Sequence, residues 1–296
     1  MLVAVTGATG FLGRLLVERL LARGDEVRCL VRKPEASLPD GALPVVGDLE
    51  RDLAPLVRGA ELVFHCAAAT RKQAASVEAM WRVNQQGTAH LVAACKRVAP
   101  DLRRFVLASS IAAVGPARGG ASIDEDAEPR PLSIYGQTKL AAEREVRGVP
   151  YALVRLPGLY GPRDASLLPL FKAVRLRLRP SSARQMPLLH VSCAADALLL
   201  AATAPGALDR VLHAAGAPLT ATECGLAVAA ALGVRALPVP LATPLVWLVD
   251  RERARELGAD WRVDSQRLRA LGWSQRISFA AGARALLLEY RAAGLL

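Results

Sequence analysis

The chain has 296 residues, 52% of them hydrophobic and 22% charged, with a formal net charge of +11. That is enough apolar material for a large α/β core or two unequal lobes, and it excludes disordered, collagen-like and disulfide-scaffold classes. The five cysteines, at 29, 66, 95, 193 and 224, show no C-x-x-C spacing and fit a reduced, cytoplasmic setting. Five of the 38 cations are lysine and the rest arginine, and no helix-turn-helix, zinc or aromatic RNA-binding signature accompanies them, so no specific nucleic-acid partner is expected. Neither a signal peptide nor a membrane span is expected. The longest apolar stretch, "LPVPLATPLVWLV" (237–249), is broken by three prolines.

In chain order, residues 2–5 predict a short buried strand. "FLGRLLVERLLARG" predicts an amphipathic helix with Leu12, Leu15, Leu16 and Leu20 on one face and Gly24 at its end. "EVRCLV", "LPVVGDL", "AELVFHCAA" and "RRFVLASS" predict four more strands, with a helical pattern, "NQQGTAHLVAACKRVA", before the last. "YGQTKLAAEREVRG" predicts a helix and "YALVRLP" a sixth strand. The alternation predicts a parallel sheet covered on both faces. After Pro157 the pattern becomes shorter and less regular. "HVSCAADALLLAATA" reads as a strand end entering a helix, and residues 264–296 as two helices around a turn. The expected architecture is a Rossmann-type doubly wound sheet over 1–156, with a smaller, interleaved substrate lobe over 157–296. Segments such as 187–204 return to the first unit.

"TGATGFLG" (6–13) follows a strand and opens a helix, the setting of a dinucleotide-binding turn. Its glycines, Gly7, Gly10 and Gly13, permit close backbone approach, and the helix N-terminus attracts a pyrophosphate. The second strand ends in Arg32–Lys33, where an acid would mark NAD; two cations there favour a 2′-phosphate, hence NADP, with NAD left open. Asp48 either accepts from adenine or caps the next helix. Tyr135 and Lys139 stand at i and i+4 on one helix face, where a cation would stabilise phenolate and lower the phenol's pKa. Ser109–Ser110 end the fifth strand, where a hydroxyl can orient a carbonyl.

Together these residues resemble the extended short-chain dehydrogenase/reductases, the NAD-dependent epimerase/dehydratase family. "TGATGFLG", "GDL", "HCAAAT", "VNQQGTAHLVAAC", "LASSIAAVG", "YGQTKLAAE", "RLPGLYGP" and "HV" carry the likeness over nearly the whole chain. The resemblance implies an oxidoreductase with Ser110, five residues before Gly115, holding the substrate oxygen. Tyr135 would be the acid/base and Lys139 the partner of the nicotinamide ribose. It further implies cofactor contacts at Gly7, Thr9, Gly10, Phe11, Leu12, Gly13, Arg32, Lys33, Asp48, Leu49, Ala67, Asn84, Tyr135, Lys139, Pro157 and Gly158, with Asn84 serving as contact or as structural support. A homodimer and a small-molecule substrate are also implied.

Departures from the family narrow the chemistry. No acidic pair follows Ser110, against dehydration. Pro157–Gly158 stands where sugar-nucleotide epimerases carry an asparagine, and "MPLLHV" lacks their arginine. The expected reaction is therefore alcohol–ketone interconversion on an apolar molecule. A sugar-nucleotide epimerase is the first alternative, supported by Arg175, Arg177, Arg179 and Arg184. A non-catalytic dinucleotide-binding regulator or assembly factor is the second. "VRLRLRP" (174–180) reads as an exposed alternating strand or an anion contact. His190 reads as packed at a strand end. No metal site is expected, because the four histidines and five cysteines are scattered.

Overall fold

A computed structural model describes all residues except 72, 118–120, 241–254 and 257. Its centre is a seven-stranded, wholly parallel sheet. Strands β1 (Leu2–Thr6), β2 (Glu26–Val31), β3 (Leu43–Val46), β4 (Leu62–His65), β5 (Arg104–Ser110), β6 (Tyr151–Leu156) and β10 (Arg210–His213) build it. Their spatial order is β3-β2-β1-β4-β5-β6-β10. The chain winds outward from β1 through β2 to β3, then crosses back to β4 and winds the other way. The order reverses between β1 and β4, whose paired ends are Thr6 and His65. A crevice opens outside the carboxyl ends of such strands, which is where open α/β sheets bind ligands.

Strand periodicity assigns the two faces. Val3 and Val5 of β1 join Leu62 and Phe64 of β4 under α1 (Phe11–Ala22) and α7 (Val191–Thr203). Ala4 and Val63, one residue out of step, meet the opposite cover. That cover is α2 (Ala54–Val57), α4 (Gly87–Val98) and α5 (Ile134–Glu145), through Leu91, Val92, Cys95, Ala142 and Val146. Burial on both faces explains why these strands read as unbroken apolar runs. Between α3 (Val77–Trp81) and α4, residues Arg82–Gln86 form a π-helical turn, a feature that clusters at functional sites.

The remaining elements form a second packing unit. Two short parallel sheets pair β7 (Gly158–Tyr160) with β9 (Leu188–His190), and β8 (Leu178–Ser181) with β11 (Leu237–Pro240). With α6 (Leu168–Arg175), α8 (Ala221–Leu232) and α10 (Phe279–Ala292) they surround a core of Tyr160, Phe171, Val174, Val228, Leu286 and Tyr290. A short helix, α9 (Gln266–Ala270), lies beside β10. α8 starts with a reciprocal Thr220–Glu223 cap and stops at Gly233 in the left-handed region. The segment 174–180 departs from the strand expectation: α6 runs to Arg175 and only Leu178 onward is strand. Of "LPVPLATPLVWLV", residues 237–240 form β11 and the remainder lies outside the described residues.

Candidate functional site

The loop after β1 is shaped by what its glycines leave out. Gly7 has φ +74°, and a Cβ there would sit 2.6 Å from the Ala67 nitrogen. A Cβ on Gly13 would sit 2.1 Å from the Gly7 carbonyl oxygen. Both positions therefore need glycine, one for backbone and space and one for space alone. The Gly10 N–H donates to Gly7 O at 2.9 Å and closes the turn. Gly10 then caps α1 without a side chain, and the first turn carries no acid. Thr9 and Gly10 are exposed, while Phe11 and Leu12 are half-buried. The result is a cradle of backbone donors at a helix N-terminus, suited to a pyrophosphate.

A buried hydrogen-bond chain fixes the β1–β4 junction. The Ala67 N–H donates to Thr6 Oγ1 at 3.3 Å, and Thr6 meets His65 Nδ1 at 2.6 Å. His65 Nε2 meets Thr88 Oγ1 at 2.9 Å, and Thr88 donates to the Asn84 carbonyl at 2.6 Å. Because Thr88 spends its proton on Asn84, His65 Nε2 is the donor and Nδ1 the acceptor, so the ring is neutral. Burial first, and then Lys139, push its pKa down to about 3. Asn84 accepts from Ala69 N at 2.7 Å and donates to Ala69 O at 3.0 Å and Thr138 Oγ1 at 2.9 Å. Its amide is thus engaged within the protein, tying the loop after β4 to α5.

The outer cofactor candidates differ in how engaged they are. Arg32 and Lys33 are exposed just beyond β2, and their side chains make no hydrogen bond or ion pair among the described residues. Asp48 accepts from the Glu50 N–H at 2.9 Å and pairs with Arg51 Nε at 3.3 Å, a local turn that leaves it part-exposed. Leu49 is buried; a Cβ on Gly87 would meet its Cδ1 at 2.8 Å, and its carbonyl lies 3.0 Å from His90 Nδ1. Pro157 is buried after β6, while Gly158 is exposed, with Leu188 Cδ2 3.0 Å from where its Cβ would stand.

Ser110, Tyr135 and Lys139 converge at the end of β5. Ser133 caps α5 by accepting from the Gly136 N–H at 3.2 Å. Gly136 lets α5 press on the turn after Ser110, since a Cβ there would lie 2.2 Å from Ala112 O. That approach sets Tyr135, which is half-buried, beside Ser110, whose hydroxyl holds the phenol's pKa down. Ser109 turns the other way and donates to Glu143 at 2.5 Å in the interior. Lys139 is buried and donates from Nζ to Ala108 O at 2.9 Å. Burial lowers its pKa to about 8, against the raising influence of Glu143 and Cys66.

The expected lowering of the phenol is not what this arrangement produces. Burial pushes Tyr135 up to about 12, the Ser110 hydroxyl lowers it, and Glu256 raises it. With Lys139 turned to the Ala108 carbonyl, its charge does not offset the loss of solvent around the phenol. The Tyr135 phenol is therefore neutral at physiological pH. Beneath the site, Glu143 and Arg155 form a bidentate pair at 2.9 and 2.8 Å, with both side chains about 95% buried. Arg155 Nη1 reaches His213 Nε2 at 3.4 Å, and His213 Nδ1 reaches Asp264 O at 3.1 Å. This network, which sequence reasoning did not find, joins α5 to β6, β10 and the segment after 260.

His65 and His213 make stability pH-dependent. Burial, followed by Arg155, lowers His213 to about 4. In both, the folded pKa lies below the ordinary value near 6.5, so the unfolded chain takes up protons first as pH falls. Stability is full above about 6.5 and declines from there toward about 4 for His213 and about 3 for His65. Between pH 7 and 5 the two should together lose on the order of 3–4 kcal/mol. Guanidinium unfolding at the two pH values reads this directly, and equal midpoints would contradict it.

Among the described residues, no three His, Cys, Asp or Glu side chains gather as metal ligands would, and no helix is long and apolar enough to cross a membrane. A cavity of about 130 Å³ lies beyond β10, between Pro187, Leu219, Trp261 and Val263, with Gln185 and Arg262 as polar neighbours.

The comparisons with known proteins agree with the fold. The model of the NAD-dependent epimerase/dehydratase family matches residues 3–213. Ceramide reductase of Caulobacter vibrioides is 40% identical over 207 residues, 67% of this chain and 59% of that protein. Human sterol-4-alpha-carboxylate 3-dehydrogenase, decarboxylating, is 32% identical over 180 residues, 56% and 46% of the two chains. The match thus spans only about half of such relatives. Among solved structures, MoeE5 in complex with UDP-glucose and NAD is 29% identical, with a TM-score of 0.78 over 99% of each chain. With its glycine cradle, its Ser110–Tyr135–Lys139 cluster and its doubly wound sheet, this chain belongs to the NAD-dependent epimerase/dehydratase family, the extended short-chain dehydrogenase/reductases, whose members are enzymes that use a nicotinamide dinucleotide.

Proposed function

We propose that the protein is an NADP(H)-preferring oxidoreductase interconverting a secondary alcohol and a ketone on an apolar small molecule. The observation that carries this reading is the convergence of Ser110, Tyr135 and Lys139 at one strand end. Residues 1–156 hold the dinucleotide and 157–296 mainly the substrate. Gly7, Thr9, Gly10, Phe11, Leu12 and Gly13 cradle the pyrophosphate. Arg32 and Lys33 face the adenosine end, and Asp48, Leu49 and Ala67 lie along the adenine side. Pro157 and Gly158 border the nicotinamide. When bound, the cofactor supplies or accepts the hydride.

The chain's own residues then handle the oxygen and its proton. The Ser110 hydroxyl holds the carbonyl oxygen. Tyr135, neutral with its pKa near 12, gives that oxygen a proton in reduction and takes it back in oxidation. Lys139 places a cation beside the forming phenolate. Asn84 acts by positioning, because its amide holds Ala69 and α5. An apolar substrate is supported by the ceramide and sterol relatives.

The epimerase reading is favoured by one observation, the likeness to a structure holding UDP-glucose. Against it stands Gly158, which offers no side chain to a diphosphate. Calorimetry separates these readings. NADPH should bind more than tenfold tighter than NADH, since a charge-assisted hydrogen bond contributes roughly 1.5–3 kcal/mol. Arg32→Ala should erase most of that preference. Equal affinities would contradict the NADP assignment, and micromolar UDP binding to cofactor-loaded protein would favour the epimerase.

A further inference from the structure

In the β8–β11 sheet, β8 packs against α8 while β11 is exposed along its whole length. In a parallel pair, residues in register share a side, so Leu178 and Leu237 lie next to one another, with Val239 two residues on. These three are 46%, 70% and 43% exposed, and Leu176, on the turn leaving α6, is 73% exposed. The α8 contact runs through Arg179 Cβ and Pro180 Cδ, 3.0 and 3.1 Å from where a Cβ of Gly225 would stand. Single exposed leucines are ordinary, but four large apolar side chains gathered on one rim mark an interaction surface.

The charge around this rim has one sign. Lys172, Arg175, Arg177 and Arg235 are exposed, and their side chains make no hydrogen bond or ion pair among the described residues. No Asp or Glu occurs from Leu168 to Met186 or from Gly225 to Pro240. The nearest acid along α8, Glu223, is spent on that helix's cap. Uncompensated cations ringing protruding leucines and a valine complement a surface that is negative outside and apolar just beneath. No aromatic side chain stands among the rim residues, so the base-stacking platform of a nucleic-acid groove is missing there.

We propose that this rim docks the protein on an anionic lipid bilayer surface. Leu176, Leu178, Leu237 and Val239 enter the headgroup–acyl boundary, and Lys172, Arg175, Arg177 and Arg235 meet the lipid phosphates. Such attachment needs no spanning helix. It would bring the second lobe to the medium in which an apolar substrate resides. The docking does not depend on the alcohol–ketone reading, because binding is measured without cofactor or substrate.

The test is co-sedimentation of the full chain with vesicles of phosphatidylcholine alone, or of phosphatidylcholine with phosphatidylglycerol. Binding should be strong only to the anionic vesicles and should weaken with salt. Each cation near such a surface contributes about fivefold in partitioning, so K172E with R175E should weaken binding by more than tenfold. L176S with L237S should do the same at unchanged charge. All four residues are exposed, and thermal melting checks that the folds are kept; V239S with R235Q serves if either pair unfolds. Absence of binding to anionic vesicles at low salt would overturn the proposal. So would wild-type vesicle binding by L176S/L237S together with equal affinity for polyglutamate, which would mark an acidic protein site.

Discussion

Tyr135→Phe should lower turnover by about 10²–10⁴-fold while leaving dinucleotide affinity nearly unchanged. The ring is half-buried at the start of α5, and phenylalanine keeps its packing. What is lost is the phenol proton that the proposed mechanism passes to the substrate oxygen. The wild-type pH profile should carry the same signature. Oxidation needs the deprotonated phenol and should accelerate as pH rises below about 12. Reduction should persist at neutral pH and fade above about 8, where Lys139 loses its charge. Steady-state kinetics in both directions, with cofactor binding measured separately, decide the matter. Most of the activity surviving in Tyr135→Phe would remove the proton-transfer role.

Arg155→Met should destabilise the fold by about 3–5 kcal/mol, because it strands the Glu143 carboxylate in the interior. Arg155 and Glu143 are joined by two short hydrogen bonds, Ser109 donates to the same carboxylate, and His213 completes the row. The double variant Arg155→Met with Glu143→Leu removes both charges and should recover a large part of the loss. Glu143 also sits one turn beyond Lys139 and raises its pKa, so the double variant should shift the alkaline limb of the reduction profile downward. Denaturant unfolding of the three proteins measures the first effect. A single variant as stable as wild type would show that removing Arg155 leaves no stranded charge at Glu143.

The parts of this molecule that were legible in its sequence are those whose signals are local. "TGATGFLG" between an apolar run and an amphipathic helix states a strand–turn–helix, and the unbroken apolar runs state buried parallel strands. Helix spacing put Tyr135 and Lys139 on one face and the strand end held Ser109–Ser110, while the preference for Ser110 came from the family resemblance. Other features depend on distant partners. Ser109 and Ser110 are chemically alike, and only Glu143, 34 residues away, draws Ser109 inward. The Tyr135 pKa was misjudged because helix spacing says nothing about burial or about where Lys139 donates. β10 is only four residues long, and it becomes the seventh strand by pairing with β6, almost sixty residues earlier. α8 was missed although its signal was present: Thr220 and Glu223 form a capping box before an apolar run, and Gly233 marks the end. In "VRLRLRP", alternation suggested a strand, but the Phe171–Val174 packing into the second core extends the helix to Arg175.

The account stands most directly on where a hydride goes. Incubation with NADPH deuterated at nicotinamide C4 and a panel of hydrophobic ketones, followed by mass spectrometry of the products, reads this without assuming a substrate. The account predicts deuterium at the carbinol carbon of at least one product, in step with cofactor oxidation, and its disappearance in Tyr135→Phe. Deuterium confined to the cofactor across all ketones, with UDP-glucose isomerised and no net oxidation of NADPH, would contradict it.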